Sequence, residues 1–345
     1  MKLAIIFGGS SNEHEVSIAS ACSIIQNLDH QKYEIFPIYL DKNNQFWLWK
    51  KDIHTIQPME IGVLPVPLEP IEEPFLFLKT IDCVFLMIHG KNGEDGTLAS
   101  VLEFMNIPYV GNNPTPSMIT MDKIYTKEIL ELNHIKTAHY LAFTKYMDYY
   151  IMNGQKWNFN QILNFIDKRM SYPLFIKPAN SGSSIGISKV KRKEELELAI
   201  KEALKIDVRI LVEQEIKGRE LECAILERDG EILASVIGEV LTNSDYYSYD
   251  AKYMNKEINT KIPALLSADL LQKIRQTAIQ SFQVLNLRGY SRVDFFLDEQ
   301  ENIILNEINT IPGFTEISMY PKLWEASGIC YRTLLDVLIE ESLKK

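Results

Sequence analysis

The apolar positions of this chain follow two periods. Compact, partly β-branched runs at Lys2 to Phe7, Tyr33 to Leu40 and Asp82 to Ile88 read as buried strands. Helical spacing marks Val16 to Leu28, Asn158 to Met170 and Lys193 to Leu204. A longer helix runs through Leu270, Ile274, Ala278 and Phe282 behind Ser267, a residue suited to cap it, and a terminal helix spans Leu334 to Leu343. Strand, glycine turn and helix at the start open a βαβ unit, so the class is α/β with mixed α+β elements. Asn43 to Lys50 reads as a small hairpin carrying Trp47 and Trp49 on one face, followed by an irregular, proline-dotted excursion from Pro65 to Pro74. Gly111 to Pro116 reads as a linker between domains, with Met121-Asp122-Lys123 starting the next helix.

One hairpin stands out. Arg292 to Leu297 and Ile303 to Ile308 are strands, and Asp298 to Asn302 between them is turn material. Side chains alternate faces along a strand, so Arg292 and Asp294 share one face of the first strand, and Glu307 and Asn309 one face of the second. A turn centred between Gln300 and Glu301 sets Asp294 opposite Glu307 and Arg292 opposite Asn309, in a single register. Opposed carboxylates weaken a ladder by up to about 1 kcal/mol. Either these are solvated polar residues on an exposed face, or a cation lies between them. Oxygen donors with one amide suit Mg²⁺ completed by water and phosphate. Thr310 to Phe314 then breaks the strand, and the Pro312-Gly313 step allows close backbone approach to a ligand.

Several loops carry candidate chemistry. His89 to Gly96 lies at the carboxyl end of a strand, where open α/β sheets bind ligands; His89 is either a substrate contact or a structural residue. Lys177 ends a strand before the small-residue loop Ala179 to Gly186, whose N–H groups and hydroxyls suit phosphate oxygens. The spacing is not that of a Walker P-loop. Arg209 to Gln214 is a strand whose end could hold an adenine edge, with a carboxylate downstream, such as Glu220, for ribose hydroxyls. The tyrosine-dense Asp245 to Tyr253 is a packing surface or a lid carrying Lys252 towards a phosphate. Glu13 and Glu15 sit at a helix start, which the helix dipole alone accounts for.

Composition narrows the partners. The chain has 345 residues, 46% hydrophobic and 24% charged, enough for two or three domains. Its net charge of -10 argues against a nucleic-acid binder. Cys22, Cys83, Cys223 and Cys330 are scattered, without zinc or disulfide spacing, as in reduced cytoplasmic proteins with buried thiols. No apolar run approaches a membrane span, and the start reads as a buried strand and not a signal peptide.

HGKNGEDGT, MDK, FIKPANSGSSIG, LVEQEIKGRE, YDAKY, SRVDFF, LNEINTIPGFT and SMYPKLWEASG, in this order behind the Gly-Gly loop, resemble the D-alanine–D-alanine ligases of the ATP-grasp enzymes over nearly the whole chain. The resemblance implies an ATP-grasp fold with an N-terminal Rossmann-like open-sheet domain (1–115), a central subdomain (116–212) and a C-terminal subdomain (213–345). It implies an ATP-dependent ligase that joins two D-alanines through an acyl phosphate for peptidoglycan synthesis, as a cytoplasmic homodimer. Lys123, Lys177 and the Ser181, Ser183 and Ser184 loop would take ATP phosphates, Glu213 the adenine and Glu220 the ribose. Asp294, Glu307 and Asn309 would hold two Mg²⁺ or Mn²⁺ ions, with Asn306 beside them. Glu15 would take the first ammonium, with Ser183 and Tyr253 closing over it. Arg292 and the Gly313 backbone would stabilise the tetrahedral carbon, and His89 would lie near the reacting carboxylate. Lys252, Ser318 and the Met319 backbone would hold phosphate or the second carboxylate. Tyr253 and Met319 favour D-alanine over the D-lactate or D-serine used by resistance-type relatives. A catalytically silent nucleotide-binding protein is the rival of another class, and it would lack a metal ligand or Arg292, both of which are present.

Overall fold

A computed structural model describes residues 1–56, 65–182, 185–241 and 259–344. Among these residues the strands form three sheets that follow one another along the chain. The first is built from β1 (Lys2–Gly8), β2 (Glu34–Leu40), β3 (Phe46–Trp49), β4 (Leu68–Pro70), β5 (Cys83–Met87) and β6 (Tyr109–Val110), ordered β4-β3-β2-β1-β5-β6. The run from β2 to β6 is parallel, as the βαβ reading requires, and β3 and β4 extend it antiparallel. Asn43 to Lys50 is therefore not a separate hairpin. Its strand completes the sheet edge, and part of the proline-dotted stretch supplies β4.

The alternation of β1 sorts two cores. Leu3, Ile5 and Phe7 pack beneath helix α1 (His14–Asn27), whereas Ala4 and Ile6 belong to the core on the other face, with Ala99 and Leu102 of a later helix. α2 (Pro74–Leu78) and α3 (Thr97–Phe104) complete this region. The expected linker is shorter than its sequence suggests. Pro114 opens α4 (Pro114–Met121) near its first position, where a missing N–H costs nothing. Asp122 then breaks the helical path and caps α5 (Lys123–Leu132) by accepting the Ile124 and Tyr125 N–H groups.

The second sheet, ordered β11-β10-β12-β7-β8-β9, is antiparallel. Its strands are β7 (Tyr140–Lys145), β8 (Tyr150–Met152), β9 (Gln155–Trp157), β10 (Leu174–Pro178), β11 (Ser188–Val190) and β12 (Arg209–Gln214). α6 (Phe159–Arg169) and α7 (Lys193–Ala203) bury Ile162, Ile166, Leu196 and Ile200 in its core. The third sheet comprises β13 (Gly218–Arg228), β14 (Glu231–Leu241), β15 (Asn259–Lys261), β16 (Tyr290–Asp298) and β17 (Ile303–Asn309), ordered β15-β14-β13-β16-β17. α8 (Ala268–Val284), capped by Ser267 as expected, contributes Ile274, Ala278 and Phe282 to one core of this sheet. α9 (Met319–Ala326) and α10 (Tyr331–Ser342) share a single apolar core with residues of the first and third sheets. Cys22, Cys83 and Cys223 are buried, but Cys330, expected inside, is exposed ahead of the last helix.

Candidate active site

A cavity of about 430 Å³ opens where the three regions converge, a size in the range of small-ligand sites. Its walls come from the loop after β1 (Glu13), the loop after β5 (His89, Glu94), the start of α5 (Lys123), the loop after β10 (Ser181, Gly182) and the third sheet with the segment that follows it.

The sheet wall is the hairpin read from the sequence. Arg292 pairs with Asn309 and Asp294 with Glu307, the expected register. Beyond Asp294 the register shifts and Phe295 pairs with Leu305, so Asn306 is a bulge residue without an opposite number in the ladder. Arg292 grips Asp294 through Nε–Oδ1 and Nη2–Oδ2 bonds of 2.7 Å each. Asn309 Nδ2 donates to Asp294 Oδ2 at 3.0 Å. Glu222, opposite Asp294 on β13, lies 2.9 Å from Arg292 Nε. Burial works against the Arg292 charge, but Asp294 and Glu222 outweigh it and hold the guanidinium protonated well above its usual range. The wall is thus not an exposed sheet face: Asp294 and Glu222 are buried, and Arg292, Glu307 and Asn309 are half-buried against the cavity. Among the described residues no group of three or more His, Cys, Asp or Glu side chains is assembled for a metal. Two carboxylates and an amide at adjacent cross-strand positions nevertheless form a hard-donor set that fits a divalent cation such as Mg²⁺.

The second sheet contributes cations. Lys177 on β10 and Lys127 on α5 both pair with buried Glu213 of β12, the Lys127 contact at 2.5 Å. Burial pushes the Glu213 carboxyl up, yet the two lysines prevail and hold it at about 2. Lys123 donates from its Nζ to the Ser181 carbonyl, and burial lowers its ammonium below the usual range. The phosphate-type loop is braced from below. Asp122 accepts from Asn180 Nδ2 at 3.1 Å and from Arg209, while the Lys123 N–H reaches the Ala179 carbonyl at 3.0 Å. Glu220 lies two residues before Glu222 on β13 and so on the same face.

At the first sheet, His89 Nδ1–H donates to the Ile311 carbonyl at 2.9 Å. That bond leaves the lone pair on Nε2, which is buried without a hydrogen-bond partner among the described residues. Burial lowers the imidazole below its usual value, so the ring is neutral. Burial and the nearby Glu13 carboxylate push Glu94 up to about 8.

Of the two helix-start carboxylates, the cleft takes Glu13 and not Glu15, which corrects the expectation for Glu15. Glu13 Oε2 lies close enough to Gly90 and Gly182 that an added Cβ would stand 3.5 and 3.2 Å from it. The other residues brought to the cleft as expected are His89, Lys123, Ser181, Arg292, Glu307, Asn309, Gly313, Ser318 and Met319. Lys177 and Glu213 are held in their own ion pair instead of lining it. Ser183, Ser184, Lys252 and Tyr253 lie outside the described residues. Sequence reasoning missed Glu222, Glu94, Lys127 and Lys322. Lys127 had a signal, since it stands one helical turn after Lys123 and shares its face. Glu222 had none, because its place depends on a strand pairing between segments far apart in sequence.

Known proteins match the chain along almost its whole length. Residues 2–112 match the family described as D-ala D-ala ligase N-terminus, and residues 139–340 the one described as D-ala D-ala ligase C-terminus. The chain is 41% identical over 347 residues to a D-alanine–D-alanine ligase of Clostridium novyi, covering 100% of this chain and 98% of that one. It is 42% identical to one of Caldicellulosiruptor bescii, covering 100% and 96%. Among solved structures, the VanG D-Ala:D-Ser ligase of Enterococcus faecalis superposes with a TM-score of 0.84 at 33% identity, covering 99% of each chain. The D-alanine–D-alanine ligase of Bacillus anthracis complexed with ATP gives 0.76 at 30% identity, covering 100% and 98%. A buried Arg–carboxylate wall, a cation cluster behind a small-residue loop and relatives matching over the full length together assign this chain to the D-alanine–D-alanine ligase family of ATP-dependent ligases, with the ATP-grasp fold.

Proposed function

We propose that this chain joins two D-alanines into D-alanyl-D-alanine at the expense of ATP. The observation that carries the reading is the wall of Arg292, Glu307 and Asn309, backed by the buried Asp294, facing Glu13, His89 and Lys123 across one cleft. A carboxylate is a poor electrophile. In the first step its oxygen attacks the γ-phosphorus, the bond to ADP breaks, and an acyl phosphate forms. Lys123, Lys177 and the Ser181 loop are the phosphate-facing cations and donors of the proposal, and Glu213 and Glu220 serve adenine and ribose. Asp294, Glu307 and Asn309 would hold Mg²⁺, and Asn306 lies beside them; when bound, the ions neutralise phosphate charge.

In the second step a free amine attacks the acyl carbon and phosphate leaves. Glu13 is assigned to the ammonium of the first substrate. His89, neutral and with its lone pair at Nε2, can accept the proton that the second ammonium loses before it attacks. Arg292 and the Gly313 N–H stabilise the oxyanion of the tetrahedral carbon. Ser318 and the Met319 N–H, at the start of α9, suit the second carboxylate. Met319 presents a buried apolar side chain packed against Gly238, which supports a methyl-bearing second substrate over a hydroxymethyl one.

The division into domains 1–115, 116–212 and 213–345 belongs to this proposal. So do a cytoplasmic homodimer and a place in peptidoglycan precursor synthesis, which rest on the family alone. Among the described residues no helix is long and apolar enough to cross a membrane. The test is ADP release from Mg·ATP with D-alanine alone, then with D-serine or D-lactate added, the products identified by mass. D-alanyl-D-alanine as the dominant product is the expected result. A mixed product that appears only with the added partner would assign the chain to resistance-type ligation instead.

A further inference from the structure

α1 carries buried hydroxyls at Ser17, Ser20 and Ser23, three residues apart and therefore on one stripe of the helix. A buried hydroxyl needs a partner, and each of these finds one outside its own helix. Ser17 accepts the Gly8 N–H at 2.7 Å and donates to the Met87 carbonyl. Ser20 accepts the Phe314 N–H at 3.2 Å. Ser23 lies 3.1 Å from the Tyr331 hydroxyl, which in turn donates to the Phe314 carbonyl at 2.6 Å. Both backbone groups of Phe314 are thus taken by side chains, one from α1 and one from α10. Its ring is wedged among Phe85, Tyr290, Tyr320 and Tyr331, with centroids 5.4 to 6.0 Å away.

Phe314 lies in the irregular segment after β17, where no ladder fixes the backbone. The residue before it, Gly313, lines the cleft, and its own N–H has no acceptor among the described residues. A donor aimed at developing charge is useful only if it stands within a few tenths of an ångström of its station. In this segment only side-chain contacts can hold that station.

We infer that Ser20 and Tyr331 are positioning residues, which lock the Phe314 backbone so that the Gly313 N–H meets the oxyanion of the second step. The inference rests on the reading of Gly313 given above. It makes the first domain and the last helix part of the reaction's accuracy, although neither residue touches substrate.

The test compares wild type with Tyr331→Phe, which keeps the ring and removes one hydroxyl, and with Ser20→Ala. Dipeptide kcat, the KM for ATP and Tm are measured for each at 25 °C. The expected result is a fall in kcat of about tenfold in each variant, less than the hundredfold cost of losing a donor outright. The KM for ATP stays within about twofold, because the nucleotide half of the site is untouched. A kcat equal to wild type, whatever the change in Tm, overturns the inference and leaves the hydroxyls structural. Parallel loss in kcat and in affinity for ATP overturns it as well, by showing a general disturbance. If wild type itself makes no dipeptide, the proposed reaction falls and the inference with it. If wild type ligates and the variants match it, only the inference falls.

Discussion

Arg292 and Asp294 stand two residues apart on one strand and are joined by two parallel bonds of 2.7 Å. The pair satisfies both oxygens of a buried carboxylate while Arg292 also faces Glu222. It also means that a cation entering between Asp294 and Glu307 competes with the guanidinium for the same oxygens.

Asp294→Ala therefore removes a metal ligand while leaving Arg292 a partner in Glu222. Turnover is expected to drop at least about a hundredfold at saturating Mg²⁺, with the circular dichroism spectrum of the folded protein retained. Activity near the wild-type level under those conditions would remove Asp294 from the metal site.

The two carboxylates at the start of α1 make a contrast. Glu13→Gln is expected to raise the KM for D-alanine by roughly tenfold or more, the cost of one charged hydrogen bond. Glu15→Gln is expected to leave it unchanged. Steady-state kinetics on both variants decide the matter, and equal effects would return the ammonium site to an undivided acidic patch.

Glu213 gives a pH prediction. Its folded value of about 2 lies below the ordinary value of about 4.3 for a glutamate. The stability it contributes is present in full above the ordinary value and is lost as pH falls through the folded one. Lys127→Met leaves Glu213 only Lys177, so it should destabilise the protein at pH 7 by about 2 kcal/mol, the order of one hydrogen bond to a charged group. Urea unfolding of the two proteins should then converge between about pH 4.5 and about pH 2, as the carboxylate is protonated in both. A gap that stays constant down to pH 2 would mean that Lys127 acts by packing and not by charge.

What could be read in the sequence was what depends on near neighbours. The expected pairing of Arg292 with Asn309 and of Asp294 with Glu307 assumed a turn centred between Gln300 and Glu301. The ladder next to the turn is centred on Gln300, with Leu297 opposite Ile303, and the bulge at Asn306 shifts the register by the one residue that brings the expected pairs together. The bulge at Asn306 leaves no mark in composition, because an extra residue in a polar-apolar run looks like any other. Glu13 and Glu15 differ by two helical positions, about 200° around an axis whose orientation the sequence does not contain. Glu222 joined the site through a strand contributed from far upstream. Cys330 was expected inside because buried cysteines are common, but it falls at the exposed boundary between two terminal helices.

The packing of α10 has a consequence for synthesis. Leu334, Leu335, Leu338 and Ile339 share one core with Leu3, Ile5 and Phe7, and the Tyr33 hydroxyl bonds Asp336 at 2.5 Å. Domains generally mature in the order in which they leave the ribosome. Here the first sheet emerges early, but one of its faces is finished only when residues more than three hundred positions later have been made. Until then that face is an apolar surface in a growing chain. Shortening the far end of this protein would therefore expose its beginning.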